Sequence, residues 1–207
     1  MRRIETEADL AKGAAALAQL EPRVGPVLAA TGPLPLMRKP QGFGALAFAI
    51  IGQQVSTRAA AAIWARFQAA GLDDPSVMTE APDAVLIEVG LTRPKQGYLR
   101  ALAASGQDYG ALARMEPEEA VASLCRHKGI GRWTAEIYAM QALGLADVFA
   151  PGDLALQEGV RLIWELPERP SEHALDQMAR SWAPWRAIAA RAIWVYYLAA
   201  KGRQEQL

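Results

Sequence analysis

Between Leu124 and Met140 the chain reads Leu-Cys-Arg-His-Lys-Gly-Ile-Gly-Arg-Trp-Thr-Ala-Glu-Ile-Tyr-Ala-Met, the end of one helix, a Gly-Ile-Gly turn and the start of another. Gly129 and Gly131 flank one apolar residue, Ile130, which can plug the turn while the glycines adopt conformations that a side chain would forbid. Without β-carbons the backbone there can come close to a partner. A helix beginning near Arg132 points its unpaired N–H groups and positive dipole end out of the turn, which suits a phosphate oxygen. Arg126, His127, Lys128 and Arg132 place donors beside it. This helix-hairpin-helix pattern can hold a nucleic-acid backbone without reading bases. On the two glycines alone, an ordinary tight connection between helices explains the pattern as well; the surrounding sequence decides.

The bulk numbers limit what kind of binder this can be. Formal net charge is +0 over 207 residues, so no global positive field attracts a polyanion and any contact with DNA must be local. Basic residues recur in small groups, at Arg93, Lys95 and Arg100, at Arg126 to Arg132, and at Arg186 and Arg191, most of which could equally be solvated helix faces. The one cysteine, Cys125, rules out an internal disulfide and any multi-cysteine zinc or iron-sulfur site, and is expected to pack as a small apolar residue. The start of the chain turns acidic at Glu5 before any apolar run, and the longest apolar runs are too short for a bilayer, so the expectation is a cytoplasmic protein with no membrane partner, a nucleoid-associated monomer if it acts on DNA.

The elements that must carry the turn read as helices throughout. Thr6 to Leu20 is amphipathic with Thr6 as its cap. Pro22, Pro26, Pro33, Pro35 and Pro40 then forbid regular structure and mark the clearest boundary. Gly42 to Ile51 is nearly all apolar and fits a buried helix, although so short a run does not by itself exclude a strand. Gly52-Gln53-Gln54 interrupts it, and Ser56 or Thr57 caps a helix to about Ala70. Pro82 to Val89 and Pro94 to Ser105 are short helices with proline in the first turn, and Pro117-Glu118-Glu119 opens the helix leading into the hairpin. Beyond it come a helix from Leu154 that packs Leu156, Val160, Ile163 and Trp164 on one face, then Ser171 to about Trp182, then Pro184 to about Ala200. No run of alternating strands appears, so the fold is expected to be all-α.

Four ordered motifs resemble the helix-hairpin-helix DNA glycosylases, and within that superfamily the bacterial 3-methyladenine DNA glycosylase II branch. They are Ile50-Ile51-Gly52-Gln53-Gln54-Val55-Ser56, Gly129 to Ala135, Asp147-Val148-Phe149-Ala150-Pro151-Gly152-Asp153, and Trp182-Ala183-Pro184-Trp185-Arg186 followed by Trp194. The resemblance implies two helical lobes with an interlobe cleft, one lobe formed by residues 1–40 with 147–207 and the other, carrying the hairpin, by 41–146. It implies damaged double-stranded DNA as partner, hydrolytic release of alkylated purines such as 3-methyladenine and 7-methylguanine, and no cofactor beyond a monovalent cation at the hairpin backbone carbonyls. No side-chain metal site is evident.

The resemblance makes Asp153 the catalytic residue. Breaking an N-glycosidic bond leaves positive charge on the deoxyribose, and a fixed carboxylate at about 4 Å would stabilise it by roughly 4 kcal/mol at an effective dielectric of about 20. It could also orient or deprotonate the attacking water. Asp153 sits where a helix begins, which favours the anion, yet an aspartate after Pro-Gly is also an ordinary N-cap. The two roles can coexist.

Trp133 stands where bifunctional relatives carry the lysine that forms a Schiff base, and an indole cannot do that, so the expected enzyme is monofunctional. Trp133 and Trp194 would line the base pocket, where a ring face attracts a cationic purine by about 0.5 to 2 kcal/mol. Gln53 and Gln54 match the loop that enters the minor groove, with Gln54 at the wedge position, where the relative compared has leucine. Lys128, Gly129, Ile130, Gly131 and Arg132 complete the DNA contacts. Ile137 replaces an aromatic pocket residue, so the base spectrum does not carry over. Two other readings stay open: a helix-hairpin-helix binding module without chemistry, and an oxidised-base glycosylase with lyase activity.

Overall fold

The computed structural model describes residues 2–202. Among them the chain is all-α: α1 (Glu7–Leu20), α2 (Val24–Thr31), α3 (Phe43–Gly52), α4 (Thr57–Ala69), α5 (Pro75–Glu80), α6 (Asp83–Val89), α7 (Arg93–Ala104), α8 (Tyr109–Leu112), α9 (Pro117–Cys125), α10 (Arg132–Gln141), α11 (Leu154–Ile163), α12 (Glu172–Ala179) and α13 (Arg186–Ala200), with a 3-10 turn at Arg180–Trp182. Extended pairing among these residues amounts to one isolated antiparallel bridge, Arg3 with Leu145. No helix in the described residues is long and apolar enough to cross a membrane.

Most helix starts follow their capping chemistry. Thr6 accepts from the Asp9 amide while the Asp9 carboxylate accepts from the Thr6 N–H, a reciprocal box that satisfies two otherwise orphaned donors. Ser56 accepts from Ala59 N and so caps α4; the Thr57 side chain, the other candidate, is not among the described groups. Pro117 opens α9, where its missing N–H costs nothing. The proline segment departs from expectation, because it contains α2. Pro26 is the third residue of that helix, within the first turn whose N–H groups have no intrahelical partner anyway, and Pro33 and Pro35 fall beyond its end at Gly32. The last helix begins at Arg186 rather than Pro184, and the one before it ends at Ala179, two shifts of the kind proline and a closing 3-10 turn produce.

The chain divides into two compact units. The first takes the chain up to Arg38 together with Ala139 onward; the second is Lys39–Tyr138. The expected divisions were after residues 40 and 146, so the second one moves back into α10, and residues 1 and 203–207 of the expected first lobe lie outside the described residues. Arginine explains the shift. Arg38 donates to Gln141 O and Ala142 O at 2.9 and 2.7 Å, Arg3 donates to Leu143 O at 3.1 Å, and Ile4 N donates to Gly144 O at 2.8 Å. Cations at the carbonyl end of a helix are stabilising, and here they fasten the end of α10 to the N-terminal segment.

In the first unit α1, α2 and α11 all pack on α13. Leu156 and Val160 of α11 are fully buried, each contributing about 1.5–3 kcal/mol. Gly159 lies between them, against Ile193 of α13, and a β-carbon there would overlap the Ile193 side chain, so the crossing requires glycine. Arg191 of α13 is fully buried and donates to Ala187 O and Met140 O at 2.8 and 3.3 Å; burial first, and then the like charge of Arg38, push its pKa down to about 10. In the second unit α3 is a helix that buries Leu46, Ala47, Ile50 and Ile51 and packs on α4 and α7, while α5 packs on α7.

Candidate nucleic-acid interface and carboxylate site

In the second unit α9, the turn 126–131 and the head of α10 form the hairpin that the sequence indicated. Ile130 is 4% exposed and plugs it. Gly129 has φ +90, and a β-carbon there would come within 2.5 Å of the Tyr98 ring, so this position excludes every side chain on two counts. The turn, the 53–54 loop, Tyr98, Lys128 and Trp133 border an open concave surface of ≈ 660 Å³. Lys128, Gly131 and Trp133 are exposed along it, Trp133 at 44%.

Gln53 and Gln54 have different jobs in this arrangement. Gln53 Nε2 donates to Gly129 O at 2.9 Å, tying the loop after α3 to the hairpin turn. Gln54 is exposed with φ +57, a left-handed conformation that costs a non-glycine residue roughly 1 kcal/mol or more. Lys95 of α7 donates to Ile51 O and Gln53 O, both at 2.8 Å.

The basic groups are mostly used internally, contrary to a reading of them as solvated faces. Arg132 forms a two-pronged bond with Glu118 at 2.8 and 3.0 Å and a third contact with buried Glu136 at 2.8 Å. Glu118's side-chain hydrogen bond is the largest of several influences that raise the Arg132 pKa further above an already basic value. Its guanidinium therefore clamps α9 to α10, while about half of the side chain's surface stays exposed. Arg100 pairs with Asp83 at 2.8 Å and also donates to Ala81 O, and Arg186 pairs with Asp147 at 2.6 Å. His127 Nε2 meets Gln107 Oε1 at 2.8 Å, and burial first, then Arg126, hold its pKa below the usual imidazole range. Cys125 is exposed at the rim of the concave surface rather than packed as an apolar residue, because it is the last residue of α9, beyond the buried Ser123 and Leu124.

In the first unit Asp153 is the N-cap of α11, its Oδ1 accepting from Leu156 N at 2.9 Å. The same oxygen accepts from Trp194 Nε1 at 3.2 Å. Two donors from different elements thus fix the carboxylate's orientation, which the cap alone would not do. The preceding turn is held by Asp153 N donating to Ala150 O at 3.0 Å and by buried Gln157 donating to Pro151 O at 2.8 Å. Trp194 is 8% exposed, its indole N–H directed at the carboxylate. Sequence reasoning missed this bond and Tyr98, and named Lys95 only as one of a basic group, not as the residue that closes α3. The spacing of Lys95 and Tyr98 on α7 shows that they share a helix face, but nothing local says what the face meets. Among the described residues no group of three or more His, Cys, Asp or Glu is placed to hold a metal.

An all-α fold with a Gly-Ile-Gly helical hairpin in one unit and an indole-oriented carboxylate about twenty residues further along the chain in the other defines a class. Residues 47–184 match the HhH-GPD superfamily of base excision DNA repair proteins, and the chain belongs to that superfamily. Among individual relatives, it is 28% identical over 167 residues to DNA-3-methyladenine glycosylase 1 of Schizosaccharomyces pombe, covering 76% of this chain and 73% of that protein. It is 32% identical over 161 residues to DNA-3-methyladenine glycosylase 2 of Escherichia coli, covering 70% of this chain and 54% of the relative. The crystal structure of a DNA-3-methyladenine glycosidase from Bacillus halodurans superposes with a TM-score of 0.81 at 28% identity, covering 98% of this chain and 95% of that one.

Proposed function

We propose that this protein is a monofunctional DNA glycosylase that hydrolyses the bond between deoxyribose and an alkylated purine such as 3-methyladenine or 7-methylguanine. The observation that carries the proposal is the Asp153 carboxylate, held by Leu156 N and Trp194 Nε1 at the start of α11. As the bond from C1′ to the base nitrogen breaks, the electron pair leaves with the base, which was cationic and departs neutral. Positive charge is left on the sugar, and Asp153 stabilises it, by roughly 4 kcal/mol if its oxygen lies at about 4 Å in an effective dielectric of about 20. Water then adds at C1′ and loses a proton, for which the same carboxylate is the acceptor. Because both donors act on Asp153 itself, no reorientation is needed when the charge develops.

The second unit supplies the grip. Main-chain N–H groups of Gly129, Gly131 and Arg132 with the Lys128 ammonium hold phosphate, Gln54 wedges into the duplex, and the exposed Trp133 ring offers a π-face to a cationic purine. Trp133 has no amine to capture the sugar covalently, so the product is an abasic site in an uncut strand. A monovalent cation at the hairpin would be held by peptide oxygens of residues 127–130. A neutral donor set without carboxylates suits such an ion and would add positive charge toward a phosphate, although Gly129 O already receives the Gln53 amide.

Purified protein incubated with methylated duplex DNA should release free 3-methyladenine or 7-methylguanine and leave alkali-labile sites without nicking. Borohydride should trap no protein-DNA adduct. Release of neither base would overturn the proposal, and a trapped adduct would replace it with a lyase mechanism.

A further inference from the structure

A loop that holds a residue in a left-handed conformation needs something to fix it, and in this chain one face of α7 meets both the 52–54 loop and the Gly129 turn. Lys95 donates to Ile51 O and Gln53 O, the carbonyls left over where α3 stops. Three residues on, Tyr98 forms the floor against which Gly129 closes, tightly enough to exclude a β-carbon. Gln53 joins the two by donating from its side chain to Gly129 O at 2.9 Å. Lys95 has no carboxylate partner in an ion pair among the described residues, its side chain is partly buried, and burial holds its pKa below the ordinary lysine range. A partly buried ammonium satisfied by main-chain carbonyls is an expensive way to finish a helix unless the position of those carbonyls matters.

We propose that Lys95 is a positioning residue that, with Gln53 and Tyr98, braces the 52–54 loop and the Gly129 turn into one preorganised surface. Gln54 is then presented to DNA already in its left-handed conformation. By fixing the Gln53 carbonyl, Lys95 fixes the peptide plane that enters Gln54, so the strain at φ +57 is stored in the free protein instead of being generated on binding. The role of the brace on DNA rests on the glycosylase reading above; the existence of the brace does not.

Two variants and two readouts separate these. Lys95→Met keeps the length of the side chain and removes the donors, and Lys95→Arg restores charge and donors. Amide hydrogen exchange on the free protein should speed up about tenfold at residues 52–55 and 128–131 in Lys95→Met and return toward the parent in Lys95→Arg. In single-turnover release from a duplex lesion the methionine variant should slow by roughly ten- to a hundredfold, the cost of a misplaced wedge, while the salt dependence of duplex binding stays that of the parent. Unchanged exchange at both segments overturns the brace. A salt slope lower by about one ion shows that Lys95 contacts phosphate instead, and an unchanged release rate shows that the brace does not position anything for the reaction. Should Lys95→Met lose its cooperative thermal transition, Gln53→Ala must show the same faster exchange at residues 128–131 for the proposal to stand. If the parent releases no alkylated base, the proposed function fails while the exchange experiment still decides the brace.

Discussion

The hairpin of the second unit and the carboxylate turn of the first are both built at the head of a helix, yet the proposed function uses charge in them in opposite ways. At the hairpin and on α7 beside it several basic side chains are engaged with their own protein: Arg132 with Glu118 and Glu136, Arg100 with Asp83, Lys95 with the end of α3. Left for a phosphate in the proposed function are main chain and the exposed side chains of Lys128 and Arg126, the latter bonded to the Ser123 hydroxyl. At the carboxylate turn the proposed working group is itself a charged side chain, and Leu156 N and Trp194 Nε1 aim it. Holding a polyanion of varying sequence calls for backbone donors in a fixed shape. Stabilising one transient cation calls for a single anion in a fixed place. This contrast also accounts for a DNA-repair superfamily member with a formal net charge of +0.

The contrast can be broken at its stiffest point first. Gly129→Ala adds a methyl group against the Tyr98 ring in a backbone that disfavours any side chain, at a cost of about 3 kcal/mol or more. Duplex affinity should drop about a hundredfold, with a melting point lower by several degrees, and parent-like binding would show that the turn shape is not what holds DNA. Next, Trp194→Phe keeps the ring and removes the N–H that orients Asp153. Release should slow about tenfold with duplex affinity intact, since hydrogen bonds to charged groups are worth about 1.5–3 kcal/mol and only part is expressed in the transition state. Parent-like release would make the indole bond incidental. The smallest effects sharpen the account of the grip: Lys128→Ala should reduce the salt slope of binding by about one, and Arg132→Ala, whose guanidinium is engaged with two carboxylates, should leave the slope unchanged. Equal slopes for the two variants would contradict the division between internal and DNA-facing cations.

How much of this was legible beforehand follows the range of the interactions. The hairpin, the all-α fold and the caps at Thr6, Ser56 and Asp153 are written in residues three or four positions apart, and local patterning finds them. The segment α2 was hidden by counting prolines rather than asking where in a helix each would fall. Helices α5 and α8 are too short to show a period, although Asp74 and Asp108 cap them. The interactions that shape the two sites lie further apart. Glu118 meets Arg132 across the hairpin, Lys95 reaches back to the end of α3, and Trp194 comes to Asp153 from α13. Each depends on tertiary packing, which residue type alone does not encode, so a sequence could nominate Asp153 but not say what aims it, and could nominate Arg132 but not say that it is occupied.

The central claim is that the Asp153 carboxylate stabilises the sugar cation while a water, not the protein, attacks it. Asp153→Asn preserves size and can still accept from Leu156 N and Trp194 Nε1, so cap and fold should survive and only the negative charge is removed. The direct measurement is single-turnover release of 7-methylguanine from duplex DNA by the parent and this variant, with duplex affinity and melting temperature recorded on the same preparations. A fall in release of about a hundredfold or more with affinity and melting temperature near those of the parent is the predicted result. Release at the parent's rate would contradict it and leave Asp153 as nothing more than the cap of α11.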